Sequence, residues 1–443
     1  MMQKEKSKSN STNLNRRKFL KKAIGTTAGV ICLPYIIPGT ALGKNGSTAA
    51  SDRIVMGAIG VGSMGTGDLR GFLRKQEVQF AAVCDVEKLH RDRAKTLVDE
   101  KNQNTECGSY LDYRELLARG DLDAVLLALP DQWHGIISVA CANAGLDIHG
   151  QKPLARTIKE GRAIVNAVEK NKVIWQTGSW QRSVANFHKA SELVFNGKIG
   201  KIERVEVGLP DGSPAPGDNP VQDVPESLDW NFWLGPAPKV PYRGICHWDW
   251  RWIMDYSGGQ LTDWAGHHID IAHWALGFDN TGPVEIEGKG VYPRNGIYDV
   301  PVEYDIHSKY TNGVKMRIAN ARKQTHGMGT AWYGSEGWIH VKRGGLNASD
   351  PKILEQTLGT NDTPLYNSRD HLQNFLDCVK SREETITPAH IAHRSISAGL
   401  LGEIAMLTGR KLKWNPDKEE FVGDEMANRL LSRPFRTPWS MKL

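Results

Sequence analysis

The chain has 443 residues, too long for one ordinary hydrophobic core, and its length therefore predicts two domains with appendages. Its composition, 40% hydrophobic and 24% charged, is typical of globular proteins and excludes a fibrous or disordered chain. The formal charge of +6 is unevenly placed, since residues 1–43 hold eight Lys and Arg and one acid, which leaves 48 basic and 49 acidic residues. This near-neutral remainder excludes nucleic-acid binding through the phosphates.

The N-terminal stretch predicts an export signal over residues 1–43. A basic head precedes the apolar run AIGTTAGVICLPYII and the small residues of PGTALG. The pair Arg16 and Arg17, followed by Phe19 and Leu20, resembles the twin-arginine signals of the pathway that exports folded proteins, which implies a periplasmic location. The apolar run is too short and too broken for a stable membrane anchor. The alternative is a disordered basic tail before a buried segment.

From residue 44 to residue 178, strand-like and helical patterns alternate. RIVMGAIG, VQFAAVCD, LDAVLLALP and VIWQTG have the composition of buried strands, and helical patterns separate them. This rhythm predicts an α/β fold, a Rossmann doubly wound parallel sheet over residues 44–178. The five cysteines after Cys32 are scattered without C-x-x-C spacing, so we expect small buried residues and no disulfide framework.

After about residue 178 the pattern changes. VEIEGKGVYP, EYDIHSKYT and VKMRIANAR alternate like strands of a mostly antiparallel, open sheet, and two helices follow around 368–380 and 388–408. We therefore predict a substrate-binding α+β domain over residues 179–410 and an irregular C-terminal tail over 411–443.

The motif GVGSMG follows the first strand and opens the first helix. Gly60 permits the tight turn, Gly62 lets the backbone approach a pyrophosphate, and Gly65 lets helix and strand pack closely. Ser63 and Met64 begin the helix, whose free N–H groups would face the phosphates.

Asp85 ends the second strand, where a carboxylate would accept both ribose hydroxyls and repel a 2′-phosphate. The motif and this acid together predict NAD rather than NADP. The alternative is an incidental glycine loop.

Three further stretches carry candidate chemistry: DAVLLALPDQWH, GQKPLARTIKEG and GGQLTDWAGHHIDIAHW. Together they resemble the Gfo/Idh/MocA oxidoreductase family. The resemblance implies that Pro130 and His134 lie near the nicotinamide. It also implies that Lys152 is the catalytic lysine beside the cofactor, with Asp263 and His267 as the catalytic pair.

The residues themselves agree with these roles. A hydride leaves an alcohol carbon only as the hydroxyl proton is removed, so a positioned base such as Lys152 is needed. Asp263 and His267 are four residues apart and would face the same way on an α-helix. Gln151 stands where many family members have Glu, which removes a charge beside the lysine. The alternative for Lys152 is a surface salt bridge.

The histidines of LTDWAGHHIDIAHW raise the possibility of a metal site. His268 and His273 are five residues apart and do not converge on one helix face as zinc ligands would. We therefore predict no metal, and packing or supporting roles for His268, His273 and Asp270.

Tryptophans are frequent between residues 180 and 274. Flat aromatic faces suit the apolar faces of pyranose rings, although core packing is the alternative for each of them. We assign substrate contacts to Trp180, Trp250, Arg182 and Arg251. The eight tryptophans are Trp180, Trp230, Trp233, Trp248, Trp250, Trp252, Trp264 and Trp274.

Three functions follow as hypotheses. The first is a dehydrogenase that oxidises a carbohydrate with tightly held NAD, because free NAD is not expected outside the cytoplasm. The second is a redox-neutral, NAD-dependent glycoside-cleaving enzyme, and the third is a non-catalytic sugar-binding relative. The resemblance also implies self-association into a homo-oligomer.

Overall fold

The computed structural model describes residues 52–441, so the predicted export signal lies outside the described residues. Within that range no helix combines the length and the apolar character needed to cross a bilayer. The five cysteines of this range are all free and buried, which confirms the prediction of small packing residues.

The N-terminal part forms a six-stranded parallel sheet in the order β3-β2-β1-β4-β5-β6. This order, with helices between successive strands, confirms the predicted doubly wound Rossmann fold. The strands are β1 (Ile54–Ile59), β2 (Val78–Cys84), β3 (Gly108–Tyr110), β4 (Ala124–Leu127), β5 (Asp147–Gly150) and β6 (Trp175–Thr177). The helices are α1 (Ser63–Leu73), α2 (Lys88–Asn102), α3 (Tyr113–Leu117), α4 (Asp131–Asn143) and α5 (Ile158–Asn171).

The C-terminal part forms a nine-stranded sheet in the order β13-β12-β11-β7-β10-β9-β8-β14-β15. Among the described strand pairs of this nine-stranded sheet, only β7–β10 is parallel, which confirms the predicted mostly antiparallel sheet. The strands are β7 (Ile202–Leu209), β8 (Glu285–Val291), β9 (Glu303–Lys309), β10 (Lys315–Asn320), β11 (Gly329–Gly334), β12 (Gly337–Lys342), β13 (Gly345–Ala348), β14 (Leu412–Asn415) and β15 (Glu420–Phe421).

The remaining helices pack on both sheets. They are α6 (Ala185–Phe195), α7 (Trp230–Leu234), α8 (Gly259–Trp264), α9 (Asp270–Leu276), α10 (Pro351–Glu355), α11 (His371–Ser381), α12 (Ala389–Thr408) and α13 (Glu425–Arg429). Helix α11 returns to the first sheet, where the Phe375 ring lies 6.0 Å from that of Phe72.

The expectation of an irregular tail over 411–443 is wrong for its first part. Leu412 and Trp414 are buried on alternate positions of β14, which pairs with β8 and extends the nine-stranded sheet. The alternation is too short in sequence to be distinguished from a loop, and pairing with an existing strand edge is what orders it.

The predicted helix through LTDWAGHHIDIAHW is not a continuous α-helix. A π-helical segment, Ala265–Ile269, separates α8 from α9, and the Asp270 N–H donates to the Ala265 carbonyl, five residues back. Such segments insert an extra residue into a helix and occur frequently at functional sites. The prediction that Asp263 and His267 share one face assumed a regularly wound α-helix, and the π-helical segment shows that this assumption is wrong.

Candidate active site

The glycine turn has the shape of a phosphate-binding cradle. Gly60 has a φ of 80°, and a Cβ there would collide with the Ala128 carbonyl, while a Cβ at Gly65 would collide with the Gly60 carbonyl. At Gly62 the nearest atoms to an added Cβ are those of the His90 ring, at 3.7 Å, so the space before the helix is open. Helix α1 begins without a side-chain cap, which leaves its first N–H groups available to an anion.

Asp85 lines the same cavity at the end of β2. Its Oδ2 accepts a hydrogen bond from the Val61 N–H at 2.8 Å, and its Oδ1 accepts one from the Glu87 N–H at 2.9 Å. These bonds fix the carboxylate in the position where a ribose would bind. Arg93, which the sequence analysis missed, donates to the Val61 carbonyl at 3.1 Å and braces the turn.

Lys152 and Asp263 meet in the cavity that begins at the glycine turn. Lys152 Nζ donates to Asp263 Oδ1 at 2.6 Å, and the two side chains are 10% and 16% exposed. A Cβ at Gly266 would lie 3.3 Å from Lys152 Cβ, so the π segment brings a glycine close to the lysine. The two residues are 111 positions apart in the chain, and the fold unites them in one ion pair.

His267 and His134 are placed differently from the sequence-based expectation. Both are buried, and neither belongs to the residues that line the cavity. Burial, followed by the charges of Lys152 and Arg343, holds the pKa of His267 well below its usual range. His134 contacts the Leu129 carbonyl through Nε2 at 2.9 Å, and burial lowers its pKa to about 4. Each ring is therefore neutral and supports the cavity wall from behind, and the catalytic role of His267 stays a prediction.

The contact of Gln151 with Asp68 explains why this residue departs from the family pattern. Its Nε2 donates to Asp68 Oδ2 at 2.6 Å, so the acid next to Lys152 comes from α1 instead of from position 151. Burial raises the pKa of Asp68 to about 6, although the bond from Gln151 and the charge of Lys152 lower it. A glutamate at position 151 would place a second ionised carboxylate against Asp68 at pH 8, and neither group could donate a hydrogen bond to the other.

We therefore expect Gln151→Glu to lower the free energy of unfolding by about 1–3 kcal/mol at pH 8. The loss should shrink below about pH 6, where the raised pKa of Asp68 leaves that carboxyl protonated in the folded protein and able to donate to Glu. Urea unfolding at both pH values measures this. Gln373→Glu, which places an acid beside Glu77, whose side chain is 22% exposed, is the matched control and should cost less, because solvent screens it. An equal loss at both pH values would contradict the explanation.

The other polar residues of the opening helix pack internally. His273 Nε2 lies 2.6 Å from Tyr310 Oη, and the His268 ring stacks on Trp264 with centroids 5.3 Å apart. In residues 52–441 no group of three or more His, Cys, Asp or Glu side chains is arranged to hold a metal ion.

The structure corrects the prediction for Arg182. The residue is 1% exposed, and its guanidinium makes two 2.8 Å bonds to Asp270 and further bonds to Asp279 and lies over the Trp274 ring. A buried arginine that gives four of its five N–H donors to two carboxylates is not placed to clamp a substrate. Its role is to hold α9 against the chain that follows β6.

The core and cavity tryptophans overlap, because Trp233 and Trp250 belong to a hydrophobic cluster and also line the cavity. Trp230 and Trp233 stack on each other with centroids 4.8 Å apart and belong to a separate hydrophobic cluster. Trp250 and Arg251 line the cavity, and the Arg251 guanidinium lies between the rings of Trp248 and Trp250, at 4.2 and 4.3 Å.

Trp180 is 38% exposed and does not line the cavity. Its ring packs on Arg343, 4.5 Å from the guanidinium carbon, and that same guanidinium also stacks on Trp264. The assignment of Trp180 as a substrate contact stays a prediction.

A long connection, residues 227–252, lies across the nucleotide side of the cavity, and we call it the cover segment. The Lys88 N–H donates to the Ser227 carbonyl at 2.7 Å, and Trp133 Nε1 donates to the Trp233 carbonyl at 2.9 Å, so the first turns of α2 and α4 hold it. Its cavity-lining residues include Leu228, Phe232, Trp233, His247, Trp250 and Arg251.

The end of the chain reinforces this cover. Residues 433–439, which we call the C-terminal strap, cross the cover segment, and Arg436 Nη1 donates to Asn231 Oδ1 at 2.7 Å. The Trp439 ring packs edge-on against Trp133, with centroids 4.7 Å apart. Since Trp133 lines the cavity, the C-terminal strap contacts the cavity wall from outside.

Comparison with known families identifies both halves of this architecture. Residues 54–179 match the Gfo/Idh/MocA model described as the oxidoreductase family's NAD-binding Rossmann fold, and residues 217–441 match the model described as its C-terminal alpha/beta domain. The chain belongs to the Gfo/Idh/MocA oxidoreductase family. Residues 54–179, which contain the cradle at the glycine turn and Asp85, are thus the NAD-binding domain of a Gfo/Idh/MocA protein.

Several characterised proteins resemble this Gfo/Idh/MocA chain. A glycosyl hydrolase family 109 protein of Shewanella sp. (strain W3-18-1) is 31% identical over 198 residues, which is 42% of each chain. The chain thus matches less than half the length of such curated relatives.

Solved structures resemble its fold. The WlbA dehydrogenase from Bordetella pertussis, in complex with NADH and UDP-GlcNAcA, has a TM-score of 0.62 at 15% identity and covers 82% of this chain and 99% of its own. Aldose-aldose oxidoreductase from Caulobacter crescentus, complexed with glycerol, has a TM-score of 0.59 at 18% identity, with 82% and 99% covered.

Proposed function

We propose that this protein oxidises a hydroxyl-bearing carbon of a sugar or sugar derivative and keeps its NAD tightly bound. The observation that carries the proposal is the Lys152–Asp263 ion pair, in the same cavity as the glycine turn and Asp85. When bound, NAD supplies the acceptor for the hydride that leaves the substrate carbon.

Lys152 and Asp263 handle the proton of the substrate hydroxyl. In its neutral form, the Lys152 amine still donates to Asp263 Oδ1, which holds it in the cavity and pairs with the ammonium that forms. This amine accepts the hydroxyl proton as the carbon–hydrogen bond breaks. The neutral, buried His267 keeps water and further charge away from the back of the pair.

A carbohydrate substrate is supported by the aromatic wall of the cavity. Trp250 and the Arg251 guanidinium stacked on it both line the cavity, and aromatic and hydrogen-bonding groups together suit a sugar ring. Two proteins of the same fold were crystallised with polyhydroxylated ligands, UDP-GlcNAcA and glycerol.

Redox-neutral glycoside cleavage is the second candidate, supported by the similarity to glycosyl hydrolase family 109 proteins. Transient oxidation at ring carbon three would acidify the neighbouring C–H, permit elimination at the anomeric carbon, and end with return of the hydride. The third hypothesis, a non-catalytic sugar-binding relative, is disfavoured because such a protein has no need for a buried Lys152–Asp263 pair.

We also propose that the protein is exported folded, with NAD already bound, to the periplasm. The twin-arginine pattern at Arg16 and Arg17 supports export, and the cover segment supports retention of the nucleotide during it. Homo-oligomer formation remains a prediction from the family resemblance.

The test begins with denaturation of the purified full chain and identification of any released nucleotide by mass spectrometry. The NAD-loaded protein is then incubated with free sugars and methyl glycosides, with and without a sugar carbonyl compound as hydride acceptor. Oxidised sugar formed together with reduced acceptor supports the dehydrogenase. Free sugar formed from glycosides without net redox change supports the second candidate. Absence of bound dinucleotide at any NAD concentration contradicts both.

A further inference from the structure

The cavity contains a second carboxyl group that the proton chemistry of Lys152 and Asp263 does not use. Asp131 begins α4, directly after Pro130, and lines the cavity although the residue as a whole is only 2% exposed. Its Oδ2 accepts a hydrogen bond from Ser257 Oγ at 2.7 Å. Ser257 belongs to the chain just before α8, so the bond ties the two halves of the cavity together.

Among the ion pairs of residues 52–441, none includes this carboxyl. The buried Arg156, whose charge acts on Asp131, makes a two-fold contact with Glu403 at 2.8 and 2.9 Å. Arg251 forms no ion pair within residues 52–441, and its Nε is buried without a hydrogen-bond partner. A buried carboxyl without a counter-ion is costly, and an asparagine would serve a purely structural role better.

The electrostatic surroundings keep the Asp131 carboxyl close to the balance between its protonated and its ionised form. Burial raises its pKa to about 7, although the bond from Ser257 lowers it. The charge of Asp263 adds to the rise, and the charges of Arg251 and Arg156 oppose it. The carboxyl therefore becomes a better hydrogen-bond acceptor as the pH rises through neutrality.

We infer that Asp131, held in place by Ser257, binds a second hydroxyl group of the sugar and so determines which sugars are accepted. The inference rests on the proposed function and assigns its substrate a hydroxyl pair: one bound at Lys152 and Asp263, the other at Asp131. Arg251 lines the same cavity on its aromatic side, next to Trp250.

The experiment measures sugar binding to the NAD-loaded full chain by calorimetry, apart from turnover. The probes are hexoses, their methyl glycosides and singly deoxygenated analogues. We expect Asp131→Asn to weaken binding about 10- to 100-fold and to remove the pH dependence between about pH 6 and pH 8. The analogue that lacks the hydroxyl bound by Asp131 should bind the parent weakly. Its affinity should not fall further in Asp131→Asn, a result that a merely structural role of Asp131 would not produce.

Two controls keep a folding defect apart from a binding defect. Asp147→Asn changes another buried carboxyl, paired with Arg382 outside the cavity, and should leave sugar affinity unchanged. Ser257→Ala keeps the carboxyl and removes its holder, so we expect a smaller loss of affinity with the pH dependence retained. Bound NAD, measured in each variant by mass spectrometry, should stay at the parent's level.

Parent-like affinity and pH dependence in Asp131→Asn would overturn the inference alone. Sugar binding that depends on Asp131 but never leads to oxidation or cleavage would contradict the proposed function and leave the inference standing. A parent protein that binds none of these sugars overturns both.

Discussion

Lys152→Met should slow hydride transfer from the sugar by about 10²- to 10⁴-fold while bound NAD stays at the parent's level. The substitution removes the amine that accepts the hydroxyl proton and leaves Asp263 without its partner at 2.6 Å. The measurement is the rate at which substrate reduces bound nicotinamide in a single turnover, followed by absorbance.

A matched control comes from an ion pair of the same length elsewhere. Lys198 Nζ and Asp362 Oδ2 are also 2.6 Å apart, and neither residue lines the cavity. Lys198→Met should leave the rate within about twofold of the parent. If Lys152→Met turned over at the parent's rate with normal nucleotide content, the assignment of the proton-transfer group would be wrong.

The second large effect concerns retention of the nucleotide. The double variant Arg436→Ala/Trp439→Ala removes the hydrogen bonds from the C-terminal strap to Asn231 and Gly235 and the ring contact with Trp133. We expect NAD to dissociate about 100-fold faster, because the cover segment then opens more readily. Exchange of bound NAD for isotopically labelled NAD, followed by mass spectrometry, measures this.

Arg410→Ala serves as the control for the strap. Arg410 pairs with Asp424 at the exposed side of the C-terminal region and touches neither the cover segment nor the cavity. Bound NAD should exchange from Arg410→Ala at the same rate as from the parent protein. A parent that already exchanges NAD as fast as the strap variant would contradict both the strap's role and the proposal that the cofactor is carried through export.

The sequence predicted the elements that depend on local pattern and on motif. The alternation of strands and helices gave the doubly wound sheet, and the glycine spacing placed Gly60 and Gly65 where only hydrogen fits. The union of Lys152 with Asp263 depended on the family resemblance, since no local rule brings together residues so far apart in the chain.

Other features required the three-dimensional structure. Arg182 has the same sequence appearance whether it faces a substrate or two buried carboxylates, and only the fold shows the second arrangement. Asp131 and Asp68 were missed because a lone aspartate in a helix carries no spacing signal. The stacked Trp230 and Trp233 show the same limit, since aromatic clusters form cores and binding walls alike.

The π segment between α8 and α9 sets a strict length for this part of the chain. Each residue of a regular helix turns its successor by roughly 100°, so deletion of one residue from Ala265–Ile269 would rotate one half of the helix against the other by that angle. Asp263 and Asp270 could then not both keep their partners, Lys152 in front and Arg182 behind.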